Sequence, residues 1–175
     1  MRILAISGSL RAASSNTAAL QALRALAPAG VAVELYQGLD TLPYFNPDLD
    51  GEELPDRPAP VLELRRRVGA CAGIVICSPE YAHGVPGVLK NALDWLVSCS
   101  EFPGKPVALL NMSPRSVHAQ ASLAETLSTM SARLVPEACI ALQLPQRGYG
   151  AADIVADPEL SAALRALLSA LAAAA

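Results

Sequence analysis

Aromatic residues are scarce in this chain, at 4% of its 175 residues, and charged residues make up only 17%. The first scarcity means that any core is built from aliphatic side chains. The second, beside a hydrophobic share of 53%, excludes a disordered chain, which needs the opposite balance. There is no excess of positive charge. The net charge is −3 and the pI about 5.3, so neither nucleic acid nor an anionic membrane surface is an expected partner, since both require basic surface. No uninterrupted apolar stretch is long enough to cross a bilayer. Met1 leads straight into the strand-length run Arg2-Ile3-Leu4-Ala5-Ile6, with no signal-peptide pattern. Cysteine pairs at CxxC spacing are missing too. Cys71, Cys77, Cys99 and Cys139 lie mostly in or beside apolar runs and read as small buried hydrophobes. The two histidines stand at no metal-site spacing from them, so no metal site is expected. Without a disulfide framework or a signal peptide, the expected location is cytoplasmic.

What is present is an alternation of strand-like and helix-like segments. Residues 2–6 form a short apolar run. Residues 16–27 carry Leu20, Leu23 and Leu26 at helical spacing, with Asn16 as the expected N-cap and Pro28 and Gly30 as the stop. Residues 31–36 alternate as a half-buried strand, and a Pro- and Asp-rich surface connection runs from Asp40 to Pro60. Residues 60–69 read as a helix with Val61, Leu64 and Val68 inward and Arg65, Arg66 and Arg67 mostly solvated. Residues 73–77 (GIVIC) and 105–111 (KPVALLN) read as strands buried on both faces. Helices are expected over 86–98 and 117–132, one more strand between Leu134 and Leu142, and a final helix capped by Asp157. No linker divides the chain. The pattern predicts one α/β domain over residues 1–175, a doubly wound five-stranded parallel sheet of order 2-1-3-4-5 in three αβα layers. In such a sheet, ligands bind outside the carboxyl ends of the strands where the order reverses. That singles out three loops, 7–17, 78–85 and 111–116.

The first loop reads Ser7-Gly8-Ser9-Leu10-Arg11-Ala12-Ala13-Ser14-Ser15-Asn16-Thr17 and enters a helix. A helix N-terminus offers free N–H groups and the positive end of a dipole. The hydroxyls of Ser9, Ser14, Ser15 and Thr17, the amide of Asn16 and the guanidinium of Arg11 add donors, and arginine can grip a phosphate with two prongs. The loop is neither GxxxxGK[ST] nor GxGxxG, so the expected ligand is a terminal monophosphate rather than a nucleoside triphosphate or a dinucleotide. The second loop, Ser78-Pro79-Glu80-Tyr81-Ala82-His83-Gly84-Val85-Pro86-Gly87, is held by two prolines and two glycines. It suits the edge of a flat heterocycle, with Tyr81 either stacking on a ring or packing, Glu80 holding the loop through backbone bonds, and His83 contacting a ring, a substrate or a neighbouring subunit. After it, Val88, Leu89, Ala92, Leu93, Trp95 and Leu96 cover more than one helical face. Such a helix is either central in the monomer or shared with a second subunit. In the third loop Ser113 is a candidate donor to a ligand edge, and Arg115 is either a phosphate contact or a solvated charge.

Together, Ser7-Gly8-Ser9-Leu10-Arg11 with Ser14 and Asn16, Pro79-Glu80-Tyr81, and the run from Pro86 to Leu96 (PGVLKNALDWL) resemble the NADPH-dependent FMN reductase family, which includes flavodoxin-like quinone, chromate and azo-dye reductases. The likeness spans roughly residues 1–142. It implies a flavodoxin-like fold with non-covalent FMN. Ser9, Arg11, Ser14 and Asn16, with Ser15 and Thr17 at lower weight, would hold the phosphate. Pro79, Glu80, Tyr81, Ala82, His83 and Gly84, with Ser113, would line the ring. It further implies NADPH or NADH as co-substrate, a small-molecule electron acceptor, and a homodimer or homotetramer. The chain departs from relatives at Ala82, where many have Asn, and in a third loop that carries Pro114 and Arg115 instead of glycines. The expected activity is hydride transfer from NAD(P)H through FMN to a quinone or similar acceptor by a ping-pong scheme, with the redox chemistry in the cofactor and no catalytic side chain. The alternatives are a flavodoxin-like one-electron carrier and a protein that kept the fold and lost the flavin.

Overall fold

A computed structural model describes residues 1–51, 57–146 and 148–175. Among these residues six strands form one parallel sheet: β1 (Arg2–Ser7), β2 (Ala32–Tyr36), β3 (Gly73–Cys77), β4 (Pro106–Asn111), β5 (Arg133–Leu134) and β6 (Ile140–Ala141). The order is β2-β1-β3-β4-β5, and β6 also pairs with β4. The expected order 2-1-3-4-5 is therefore observed, with one difference: the fifth position is two short strands separated by a 3-10 turn at Pro136–Ala138. Proline at this point has no N–H for the ladder, and the strand breaks there.

Among the described residues six α-helices cover the sheet: α1 (Ser15–Ala25), α2 (Ala59–Ala70), α3 (Gly87–Asp94), α4 (Val117–Thr129), α5 (Ala151–Ala156) and α6 (Pro158–Ala173). The central strands alternate their side chains between two apolar layers. Ile3, Ala5, Val75, Cys77, Ala108 and Leu110 meet α1 and α6 on one face. Leu4, Ile6, Ile74, Ile76, Val107 and Leu109 meet α2, α3 and α4 on the other. Both faces being covered explains why β3 and β4 read as unbroken apolar runs.

Three local expectations are corrected. The N-cap of α1 is Ser14, whose Oγ accepts from the Thr17 N–H, and not Asn16, which lies inside the helix. Arg65 is not solvated. It lies against the turn after α3, donating to the Trp95 carbonyl at 3.0 and 2.6 Å, to Asp50 at 2.7 Å and to Ser98. The helix after Pro86 stops at Asp94 rather than Ser98 and continues as turns. The connection from Asp40 to Pro60 contains 3-10 turns at Leu39–Thr41 and Pro47–Leu49, and its part at 52–56 lies outside the described residues.

Candidate functional site

Parallel pairing places the three candidate loops side by side. Ser7 aligns with Cys77 and Cys77 with Leu110, so all three chains leave the sheet at the same edge. The Gly8 N–H continues the ladder by donating to the Cys77 carbonyl at 2.8 Å. Space at this step is tight. A Cβ on Gly8 would lie 2.8 Å from Ser78 Oγ and 3.1 Å from Leu89 Cδ2. The absence of a side chain is what lets the first loop start against the second.

The first loop is tied at both ends by its own hydroxyls. Ser7 Oγ and Thr17 Oγ1 share a hydrogen bond of 2.8 Å, linking the end of β1 to the first turn of α1. Ser9 Oγ accepts from the Arg11 N–H at 3.4 Å, and Ser14 Oγ caps the helix. Asn16 is buried, with its Oδ1 accepting from the Cys77 thiol at 3.2 Å. Full burial raises the Cys77 thiol far above its ordinary titration range, so it stays protonated and able to donate. Thr17 thus spends its hydroxyl and its N–H within the chain. The remaining groups are those an anion needs. The N–H groups of Ser15 and Asn16 occupy the first two helical positions and have no acceptor among the described residues. The Arg11 side chain is exposed and makes no ion pair among the described residues.

The second loop folds back as a tight turn. Tyr81 and Gly84 exchange backbone bonds of 3.1 and 2.9 Å, leaving Ala82 and His83 at the tip with φ of 49° and 58°. Two successive positive φ values are the signature of a type I′ turn, which normally takes Asn or Gly. Glu80 reaches away from the turn, and its Oε2 accepts from the Ala119 N–H at 2.8 Å. The expected loop-holding role of Glu80 is therefore observed, and its partner is the first turn of α4. His83 is not isolated: it stacks on His118, with ring centroids 4.3 Å apart and planes 20° apart. The third loop is shaped by buried Asn111, which accepts from the Ser113 N–H at 2.9 Å and donates to the Ser116 carbonyl. Arg115 is exposed and, like Arg11, unpaired among the described residues.

One pattern connects the loops. The buried polar residues among those described are Ser9, Ser14, Asn16, Ser78, Asn111 and Ser116. All six lie on these three loops or the residues that end their strands. Burying a polar group is costly unless its bonds are met, so a fold concentrates such groups where a site requires them. By contrast, the apolar residues of α3 and of the turn after it serve the monomer. Trp95, Leu89, Ala92, Leu93 and Leu96 are all buried within one chain. Trp95 donates to the Pro43 carbonyl at 2.8 Å and meets Phe45 edge-on at 5.0 Å.

A parallel sheet with a donor-rich, non-Walker loop at its switch point defines a flavodoxin-like nucleotide-binding protein. The sequence profile of the NADPH-dependent FMN reductases matches residues 1–144, and the chain belongs to that family. It is thereby an oxidoreductase of the FMN-dependent class, with NAD(P)H as electron donor. It is 32% identical over 176 aligned positions to an NAD(P)H-dependent FMN reductase of Pseudomonas aeruginosa, covering 98% of this chain and 93% of that protein. It is 36% identical over 115 positions to a quinone reductase of Escherichia coli, covering 65% of this chain and 60% of that one. Among solved structures, the flavoenzyme NAD(P)H:acceptor oxidoreductase FerB of Paracoccus denitrificans superposes with a TM-score of 0.73 at 24% identity, over 98% of this chain and 97% of that one, which shows the shared fold.

Proposed function

We propose that this protein binds FMN at the three loops and reduces quinones or similar small acceptors at the expense of NAD(P)H. The observation that carries the reading is the confinement of the buried polar residues to the carboxyl edge of the sheet. The donor set fits a terminal phosphate: the Arg11 guanidinium, the hydroxyls of Ser9, Ser14 and Ser15, the N–H groups of Ser15 and Asn16, and the positive end of α1. Thr17 holds the loop closed and is the weakest of the candidate ligands. The backbone from Pro79 to Gly84, with Glu80, Tyr81, Ala82 and His83 between them, walls the ring on one side, and Ser113 is the candidate donor from the third loop. When bound, FMN supplies the two-electron chemistry, alternating between NAD(P)H and the acceptor in a ping-pong sequence. The protein's own part is to fix the cofactor and to leave one face open.

The same reading takes the whole chain as one domain, since one sheet carries helices from both ends of the sequence. It places the protein in the cytoplasm, where the four unpaired cysteines stay reduced. It also includes assembly into a homodimer or homotetramer. The test is steady-state oxidation of NADPH and NADH by the FMN-loaded protein with a benzoquinone, an azo dye or ferricyanide. Turnover that requires both FMN and an acceptor supports the reading, and none with any acceptor overturns it.

A further inference from the structure

The chain has two histidines, and the fold stacks one on the other. His83 rides the tip of the turn at 81–84, and His118 lies in the first turn of α4. Both side chains are exposed. The turn has little local reason to hold its shape at Ala82, because alanine, unlike Asn, Asp or His, is not enriched at positive φ. Two contacts brace it from outside, and they land on successive residues of α4. Glu80 takes the Ala119 N–H at 2.8 Å, and His83 takes the face of His118 at 4.3 Å.

We propose that His118 is a positioning residue for the ring-facing turn, that it acts through His83, and that the pair lets the turn go when both imidazoles are protonated. The proposal rests on the reading of residues 79–84 as a wall of the FMN site. Imidazole is the side chain whose charge changes between about pH 5 and 8. Two neutral rings, or one neutral and one charged, stack without penalty, whereas two cations at this spacing repel by about 1 kcal/mol even at the dielectric of water. That corresponds to about fivefold in an equilibrium constant. The charged groups on the elements that carry the pair are Glu80, whose carboxylate is committed to Ala119, Arg115 just ahead of α4, and Glu125 two turns along it. Tyr81 is the other titratable group of the turn, and Arg11 is the nearest charge of the first loop.

The experiment is a titration of the apo-protein with FMN at pH 8, 7, 6 and 5 in wild type, His118→Phe and His118→Ala. It is paired with proton NMR titration of the two imidazoles. Phenylalanine keeps a flat ring for His83 and removes the charge. FMN's own phosphate titrates in the same range, so the reading is the ratio of affinities between variants at each pH. Expected are two coupled imidazole titrations in wild type, a loss of affinity on acidification about fivefold steeper in wild type than in His118→Phe, and weaker binding by His118→Ala than by wild type at pH 8, a difference that shrinks toward pH 5. Parallel pH profiles for wild type and His118→Phe, or imidazoles that titrate independently, overturn the proposal while leaving the FMN site standing. Failure of wild type to bind FMN at any pH removes the functional reading and the proposal together.

Discussion

Replacing Gly8 by alanine tests how the first loop is seated. The new Cβ would lie 2.8 Å from Ser78 Oγ, 3.2 Å from Ser78 Cβ and 3.1 Å from Leu89 Cδ2. Neither neighbour has room to move. Ser78 is buried with its hydroxyl bonded to the Pro79 carbonyl at 3.0 Å, and Leu89 is fully buried in the α3 layer. The φ of Gly8 lies outside the left-handed region, so alanine meets no backbone penalty and the whole cost is steric. Overpacking of this kind costs about 1–3 kcal/mol. For a chain of this size each kcal/mol shifts Tm by roughly 2–4 °C, so a fall of about 2–12 °C is expected. The assay is urea and thermal unfolding of Gly8→Ala, Ser78→Gly and the double variant. Removing the Ser78 side chain takes away two of the three close atoms, so the double variant should recover more than half of the loss as a favourable coupling. A Gly8→Ala protein within about 0.5 kcal/mol of wild type, or a strictly additive double variant, would refute the steric account.

Other outcomes follow from the same structure. Arg65→Met should destabilise by about 3 kcal/mol in urea unfolding, because it strips nearly buried Asp50 of one of its two arginines and leaves the Trp95 carbonyl without its donor. Burial pushes the Tyr36 phenol up to about 12, above its value in the unfolded chain. A raised phenol stabilises the fold fully below pH ~10 and loses that contribution as pH rises toward 12, by up to about 3 kcal/mol. Alkaline unfolding curves should show this slope in wild type and not in Tyr36→Phe. Ala82→Asn should raise stability by about 0.5–1 kcal/mol, because Asn tolerates the positive φ of 49° that alanine holds there; a lower Tm for this variant would contradict the type I′ assignment.

The parts of the fold that were legible in the sequence are those specified by local periodicity. β3 and β4 announce burial on both faces, and Val61, Leu64 and Val68 mark the inner stripe of α2. The Asp157 cap was legible because its Asp-Pro-Glu signal is contained in three residues; its carboxylate accepts from the N–H groups of Glu159 and Leu160. Features that depend on distant partners were hidden. Asn16 looks like a cap, but Ser14 takes that role and Asn16 turns inward to Cys77, 61 residues away. Arg65 sits in a run of three arginines that reads as solvated, yet its carbonyl partner lies 30 residues downstream. His83 reads as isolated because its stacking partner arrives 35 residues later on another element. In the candidate site, residue types at the first loop were informative because chain-local order places them at a strand-to-helix turn. The second loop's strained turn and its bracing to α4 had no local signal beyond the prolines around it.

The central claim is that the first loop holds the phosphate of FMN, and the most direct test is fluorescence titration of FMN with the wild-type apo-protein and with Arg11→Ala. Charge-assisted hydrogen bonds contribute about 1.5–3 kcal/mol each, so saturable binding by wild type and roughly 10- to 150-fold weaker binding by the variant are predicted. Equal affinities, or no saturable binding by wild type, would contradict the account.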